Sequence, residues 1–171
     1  MGMPEDWPRL TNAQQSALYH VGALLTEAKV AWALTGSASL AIRGLDVVPH
    51  DLDIQTDAAG AYIIQRLLAP YMVWPVRYRI SSTIRSHFGR AVVAGVFVEI
   101  MGAIEKQRQD GTWTSPPDMA ELVEWVDWAG RVWPVLPLAY EASAYRTLGR
   151  TETAERLEQW LTDHPGLKPE D

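Results

Sequence analysis

The chain has 171 residues, with 15 Lys and Arg against 21 Asp and Glu, a formal charge of −6 and no cysteine. That balance excludes a global basic field for polynucleotides, so any such partner needs a local patch. The missing cysteines exclude disulfide partners and thiolate metal sites. With 47% hydrophobic residues, 21% charged and no long repeat, residues 1–171 fit one globular domain. No apolar stretch approaches the roughly 18 residues a membrane span needs. The opening Met-Gly-Met-Pro-Glu-Asp-Trp-Pro lacks the blocks of a signal peptide. A cytoplasmic chain with no membrane partner is the expectation.

In chain order, Thr11 is an N-cap for a helix over 12–28, with Leu18, Val21, Leu24 and Leu25 on one apolar face. Residues 30–35 read as a buried strand that runs straight into Gly36-Ser37 and a short helix closed by Gly44. A second strand is expected over 51–55, and Asp57 caps a helix reaching Pro70. Four short strands follow at 76–80, 84–88, 91–94 and 96–101, separated at serines, at Gly89-Arg90 and at Ala94-Gly95. After a polar loop at 107–118 come a short helix over 119–128 and a strand over 131–136. Pro137 opens a helix to Leu148 that Gly149 closes, and Thr151 caps a last helix to Thr162, which makes a C-terminal helical hairpin over about 137–163. Residues 165–171 are expected to fray.

Asp51 and Asp53 lie two apart in a strand and share one face, while Leu52 and Ile54 point the other way. In 96–101 the same alternation puts Val96, Val98 and Ile100 on one face and Glu99 on the other. If these strands are neighbours with apolar faces aligned, three carboxylates converge. Crowded like charges demand a cation or a shared proton. A hard divalent ion suits oxygen donors, and Mg²⁺ is usually held by one or two carboxylates together with substrate phosphates. Two such ions, Mg²⁺ or Mn²⁺, would clamp the attacking and leaving oxygens of a phosphoryl or nucleotidyl displacement. Gly36 allows close backbone approach to a phosphate, and the helix start at Ser37 offers N–H groups and a hydroxyl.

The elements Leu34-Thr35-Gly36-Ser37, then Asp51-Leu52-Asp53-Ile54, then Val98-Glu99-Ile100 resemble the motifs of the nucleotidyltransferase superfamily. DNA polymerase beta, CCA-adding enzymes, antibiotic adenylyltransferases and AbiEii-type toxins share that fold. The thirteen residues between Ser37 and Asp51 are closer to the spacing of CCA-adding and AbiEii-type members than to that of the small toxin–antitoxin members. The Arg-Asp that follows the glycines in CCA-adding enzymes is replaced here by Ala38-Ser39-Leu40. The resemblance covers 30–104, and Leu138 to Arg150 loosely matches a stretch of small bacterial and archaeal members.

It implies an α/β (α+β) nucleotidyltransferase fold, a small mixed β-sheet with helices on one face. It also implies catalytic and metal-binding roles for Asp51, Asp53 and Glu99, and phosphate contacts at Gly36 and Ser37. The expected reaction moves a nucleoside monophosphate from an NTP to an acceptor hydroxyl, with release of pyrophosphate. The acceptor is open among a small molecule, a protein and an RNA end, and a homodimer is compatible with the sequence. The alternatives are a non-catalytic nucleotide-binding or toxin–antitoxin component on the same fold, and a metal-dependent phosphohydrolase.

Other residues have plainer readings. Arg77, Arg79 and Arg85 fit a solvated strand face better than a phosphate site, His50 a turn, and His87 a structural place. The late tryptophans Trp113, Trp125, Trp128 and Trp133 fit burial better than base stacking, and Arg146 and Arg150 fit helix ends.

Overall fold

A computed structural model describes residues 10–165; the expectations for the first residues and for fraying beyond Pro165 lie outside them. Helix α1 (Asn12–Glu27) starts in a capping box, in which the Thr11 hydroxyl accepts from Gln14 N–H and the Gln14 side chain accepts from Thr11 N–H. Strand β1 (Trp32–Thr35) is buried along its length and enters α2 (Gly36–Arg43) with no intervening loop. Gly44 closes α2 in the left-handed region, as expected. Strand β2 (Leu52–Thr56) leads to α3 (Ala58–Leu67), whose N-cap Asp57 accepts from Gly60 N–H.

Next come β3 (Met72–Ile80), β4 (Ile84–Val93) and β5 (Val96–Lys106), then α4 (Met119–Leu122), β6 (Glu124–Trp128) and β7 (Arg131–Val135). Helices α5 (Leu138–Thr147) and α6 (Thr151–Asp163) form the C-terminal hairpin. The strands make one mixed sheet in the order β3-β4-β5-β2-β1-β7-β6, with β2–β5 and β1–β7 parallel and the other pairs antiparallel.

Leu34, Leu52, Ile54, Val98 and Ile100, all fully buried, point from the sheet into α1, α2 and α3. Each such side chain contributes about 1.5–3 kcal/mol through burial, enough to fix the register and so the side on which Asp53 and Glu99 emerge. Over β1 and β2 the second face is covered by α4 and the start of α5, where Ala33, Met119 and Leu136 pack with Tyr140. Beyond them it lies open.

Three expectations are corrected. The break at Gly89-Arg90 does not exist, because Gly89 and Arg90 pair with Ile100 and Glu99 inside the continuous ladder of β4. Residues 119–128 are not one helix: α4 lasts four residues, and Val123 turns extended, so Glu124–Trp128 pairs with β7 as β6. Thr151 is the first residue of α6, and the cap position belongs to Arg150, whose side chain makes no cap bond.

Candidate active site

The β2–β5 pairing sets Asp53 directly opposite Glu99, and the β1–β2 pairing sets Thr35 opposite Asp53. Arg90 of β4 lies opposite Glu99, and Trp74 of β3 opposite Arg90. A single row therefore crosses five strands on this second face: Trp74, Arg90, Glu99, Asp53, Thr35. Asp51 immediately precedes β2, and its charge is felt at Asp53. Burial pushes the Asp53 carboxyl up to about 7, helped by the charges of Glu99 and Asp51 and a hydrogen bond to Glu99. Arg90 Nη2 donates to Glu99 Oε1 at 2.6 Å and so orients the second carboxylate.

Gly36 closes the row. Its φ is +66°, and a Cβ there would stand 2.6 Å from Asp53 Oδ2, so only glycine lets the β1–α2 turn lie against the acid. Ser37 is the half-buried second residue of α2.

Sequence reasoning missed the group that braces this turn. Glu141 of α5, 5% exposed, accepts from Thr35 Oγ1 at 2.5 Å and from Gly36 N–H at 3.2 Å. The Gly36 amide is thus already used, and the free helix N–H groups begin at Ser37. Burial holds the Glu141 carboxyl above the usual range. The buried Lys106, its ammonium 5.4 Å from the Tyr140 ring centre, is lowered by burial and held up in part by the Glu141 charge. A signal existed: Glu141 sits on the stripe of α5 that carries buried Leu138 and Ala142, where an acid needs partners. Glu141→Ala leaves a buried hydroxyl and an amide without their acceptor and is expected to cost about 3 kcal/mol. Glu141→Gln keeps an acceptor oxygen and should cost clearly less; urea unfolding of the two variants checks the difference.

The plainer readings mostly stand. His87 bonds the Tyr62 hydroxyl at 2.9 Å on the core side, and His50 is an exposed loop residue. Arg146 pairs with Glu158 at 2.7 Å and Arg150 lies over Tyr145, both inside the hairpin. Trp133 is buried and Trp128 half-buried, whereas Trp125 is 65% exposed. Trp113 stacks with Arg85, which also pairs with Glu105. Among the described residues no three His, Cys, Asp or Glu side chains form a ready-made metal cage, and no helix is long and apolar enough to cross a membrane.

A mixed sheet with two acids at its centre and a strand–glycine–helix turn beside them defines a nucleotidyltransferase. The chain belongs to the Aminoglycoside-2''-adenylyltransferase family, whose family model matches residues 17–160. A Thermotoga maritima protein described as a "putative nucleotidyltransferase" is 44% identical, with 85% of this chain and 91% of that one covered, at a TM-score of 0.73. Two further structures share the fold. The lincomycin-bound lincosamide antibiotic adenylyltransferase LnuA is 13% identical at TM-score 0.55, covering 86% of this chain and 99% of its own. The antibiotic-resistance factor ANT(2'')-Ia is 12% identical at TM-score 0.51, covering 92% and 95%. No curated protein matches the chain.

Proposed function

We propose that the protein moves a nucleoside monophosphate from an NTP to an acceptor hydroxyl, releasing pyrophosphate, with Asp51, Asp53 and Glu99 as the catalytic acids. The observation that carries this reading is the adjacency of Asp53 to both Glu99 and the Gly36 turn. Because the family and the LnuA neighbour carry adenylyltransferase names, ATP is the first donor to try.

The donor set fits a divalent cation. Two hard carboxylates sit close enough for one to hold a proton near neutrality, which marks a place short of positive charge. Mg²⁺ or Mn²⁺ would take oxygen donors from Asp51, Asp53 and Glu99 and share its remaining positions with phosphates. When bound it would supply neutralisation of carboxylate and phosphate charge.

The chain's own groups do the positioning. The Ser37 hydroxyl and the N–H groups that open α2 receive the triphosphate, on the positive end of the helix. Glu141 holds the turn from behind. Glu99, oriented by Arg90, is placed to take the proton of the acceptor hydroxyl.

The experiment is incubation with each α-labelled NTP, Mg²⁺ or Mn²⁺, and a cell extract fractionated by size. Label in an acceptor together with free pyrophosphate supports transfer. Inorganic phosphate with no labelled acceptor would indicate a phosphohydrolase, and binding without turnover a nucleotide sensor. Ser37→Ala removes one donor to a charged phosphate and is expected to weaken NTP binding about tenfold, near 1.5 kcal/mol. Calorimetric titration with Mg²⁺–ATP measures it, and an unchanged affinity places the phosphates elsewhere.

A further inference from the structure

We propose that the open surface of β3, β4 and β5 beside Glu99 seats the acceptor, and that the acceptor is the end of a single-stranded nucleic acid. The inference rests on the nucleotidyl-transfer reading of the carboxylate site and names the substrate that site would modify.

Position comes first. The row that holds Asp53 and Glu99 continues through Arg90 to Trp74, so a molecule presenting a hydroxyl at Glu99 lies on those residues. The Arg90 guanidinium stands 4.4 Å from the Trp74 ring centre and 5.0 Å from that of Phe97. Arg79 flanks the same Trp74 ring at 5.6 Å. Trp74 is 48% exposed and Phe97 45%. The fold leaves both aromatic side chains half exposed, although Trp32 and Trp133 show that it buries tryptophan elsewhere.

Charge comes second. From residue 58 to 98 the sequence has five arginines, no lysine and no acidic residue, within a chain of net charge −6. Four of those arginines lie on β3 and β4. Arg85 and Arg90 are matched by Glu105 and Glu99, while exposed Arg77 and Arg79 have no carboxylate partner among the described residues. This is the local patch that overall composition hides.

Ring faces interleaved with guanidinium groups are how single strands are held without sequence readout, the bases stacking and the phosphates meeting arginine. A neutral ring compound would use the aromatics and leave the charges of Arg77 and Arg79 unmatched, since Arg79 donates only to the backbone carbonyls of Pro75 and Phe88. A second copy of this chain is disfavoured although β3 is an edge strand. Pro75 interrupts its row of donors, and edge-to-edge pairing would bring the arginines of two copies together.

In the reaction, the terminal hydroxyl oxygen bonds to the α-phosphorus as the bond from that phosphorus to its bridging oxygen breaks. The electron pair leaves with pyrophosphate, and the hydroxyl proton passes to Glu99.

The test is fluorescence anisotropy of an end-labelled eight-nucleotide RNA with the full chain, over a salt series, alongside Mg²⁺–ATP titration of the same proteins. Trp74→Ala should weaken RNA binding at least tenfold. The Arg77→Ser/Arg79→Ser double variant, altered only at exposed side chains, should make the log–log salt slope shallower by about 1.4. ATP affinity should stay unchanged in both. RNA affinity and slope unmoved by either variant, no RNA binding at low salt, or Trp74-dependent self-association in sedimentation each overturn the inference while leaving ATP binding to stand. RNA binding that depends on Trp74, by a protein that binds no ATP, would instead sink the nucleotidyl-transfer reading.

Discussion

Asp53→Asn is expected to abolish nucleotidyl transfer and yet yield a protein that melts higher than the parent at pH 8. Folded Asp53 keeps its proton until about pH 7, whereas the unfolded chain releases it near 3.8. Between those values the unfolded state binds fewer protons, so stability falls as pH rises through the window. The loss, of the order of a few kcal/mol, is complete above about pH 7. Asparagine carries no charge to bury and should flatten that slope. Parent and variant should therefore melt together near pH 4 and separate at pH 8 by roughly 5–10 °C. Saturating Mg²⁺ should stabilise the parent at pH 8 and do little for the variant. Activity should drop about a thousandfold or more, because the variant lacks the carboxylate that faces both Glu99 and the turn. Calorimetric melts at the two pH values, with transfer assays beside them, check both halves; a variant that melts lower at pH 8, or remains active, contradicts the assignment.

Gly36→Ala should damage both the fold and the site. At φ +66° an L residue costs about 1–2 kcal/mol. The added Cβ would also press into the Asp53 side chain, which supplies its three nearest neighbours, Oδ2 foremost. Strain and displacement together should cost about 2–4 kcal/mol and weaken nucleotide binding more than tenfold. The two parts separate in a double-mutant cycle: with Asp53→Ala in place the contact vanishes, and Gly36→Ala should then cost only the backbone strain, about 1–2 kcal/mol. Urea unfolding of the four proteins gives the coupling. Strict additivity would mean that the turn and the acid do not touch in solution.

The apolar partners of the acids made much of this site readable. Leu52, Ile54, Val98 and Ile100 are unambiguous core residues, and alternation then fixed the side on which Asp53 and Glu99 emerge. The strand–glycine–helix turn was equally plain, because Gly36 and Gly44 bracket a short helix. What local pattern could not supply was pairing across long separations. Nothing near Glu141 says that it reaches Thr35, 106 residues away, and nothing near Arg90 says that its partner is Glu99. Gly89 was read as a punctuator when it lies inside β4, where a Cβ would stand 2.7 Å from a Val76 methyl; close packing, and not a turn, explains it. Residues 124–128 lost their expected helix to β7, since strand pairing overrode a local preference. Net charge averages over faces and could not show that the acid-free stretch from 58 to 98 lies largely on one ribbon, β3 and β4.

Electron paramagnetic resonance of Mn²⁺ titrated with ATP into the parent, Asp53→Asn and Glu99→Gln proteins tests the shared carboxylate–nucleotide site most directly. The parent should remove the free-ion signal cooperatively with ATP, and each variant should need at least tenfold more protein to do so. Equal uptake by all three would show that these side chains hold neither the ion nor the nucleotide, and the site would have to lie elsewhere on the sheet.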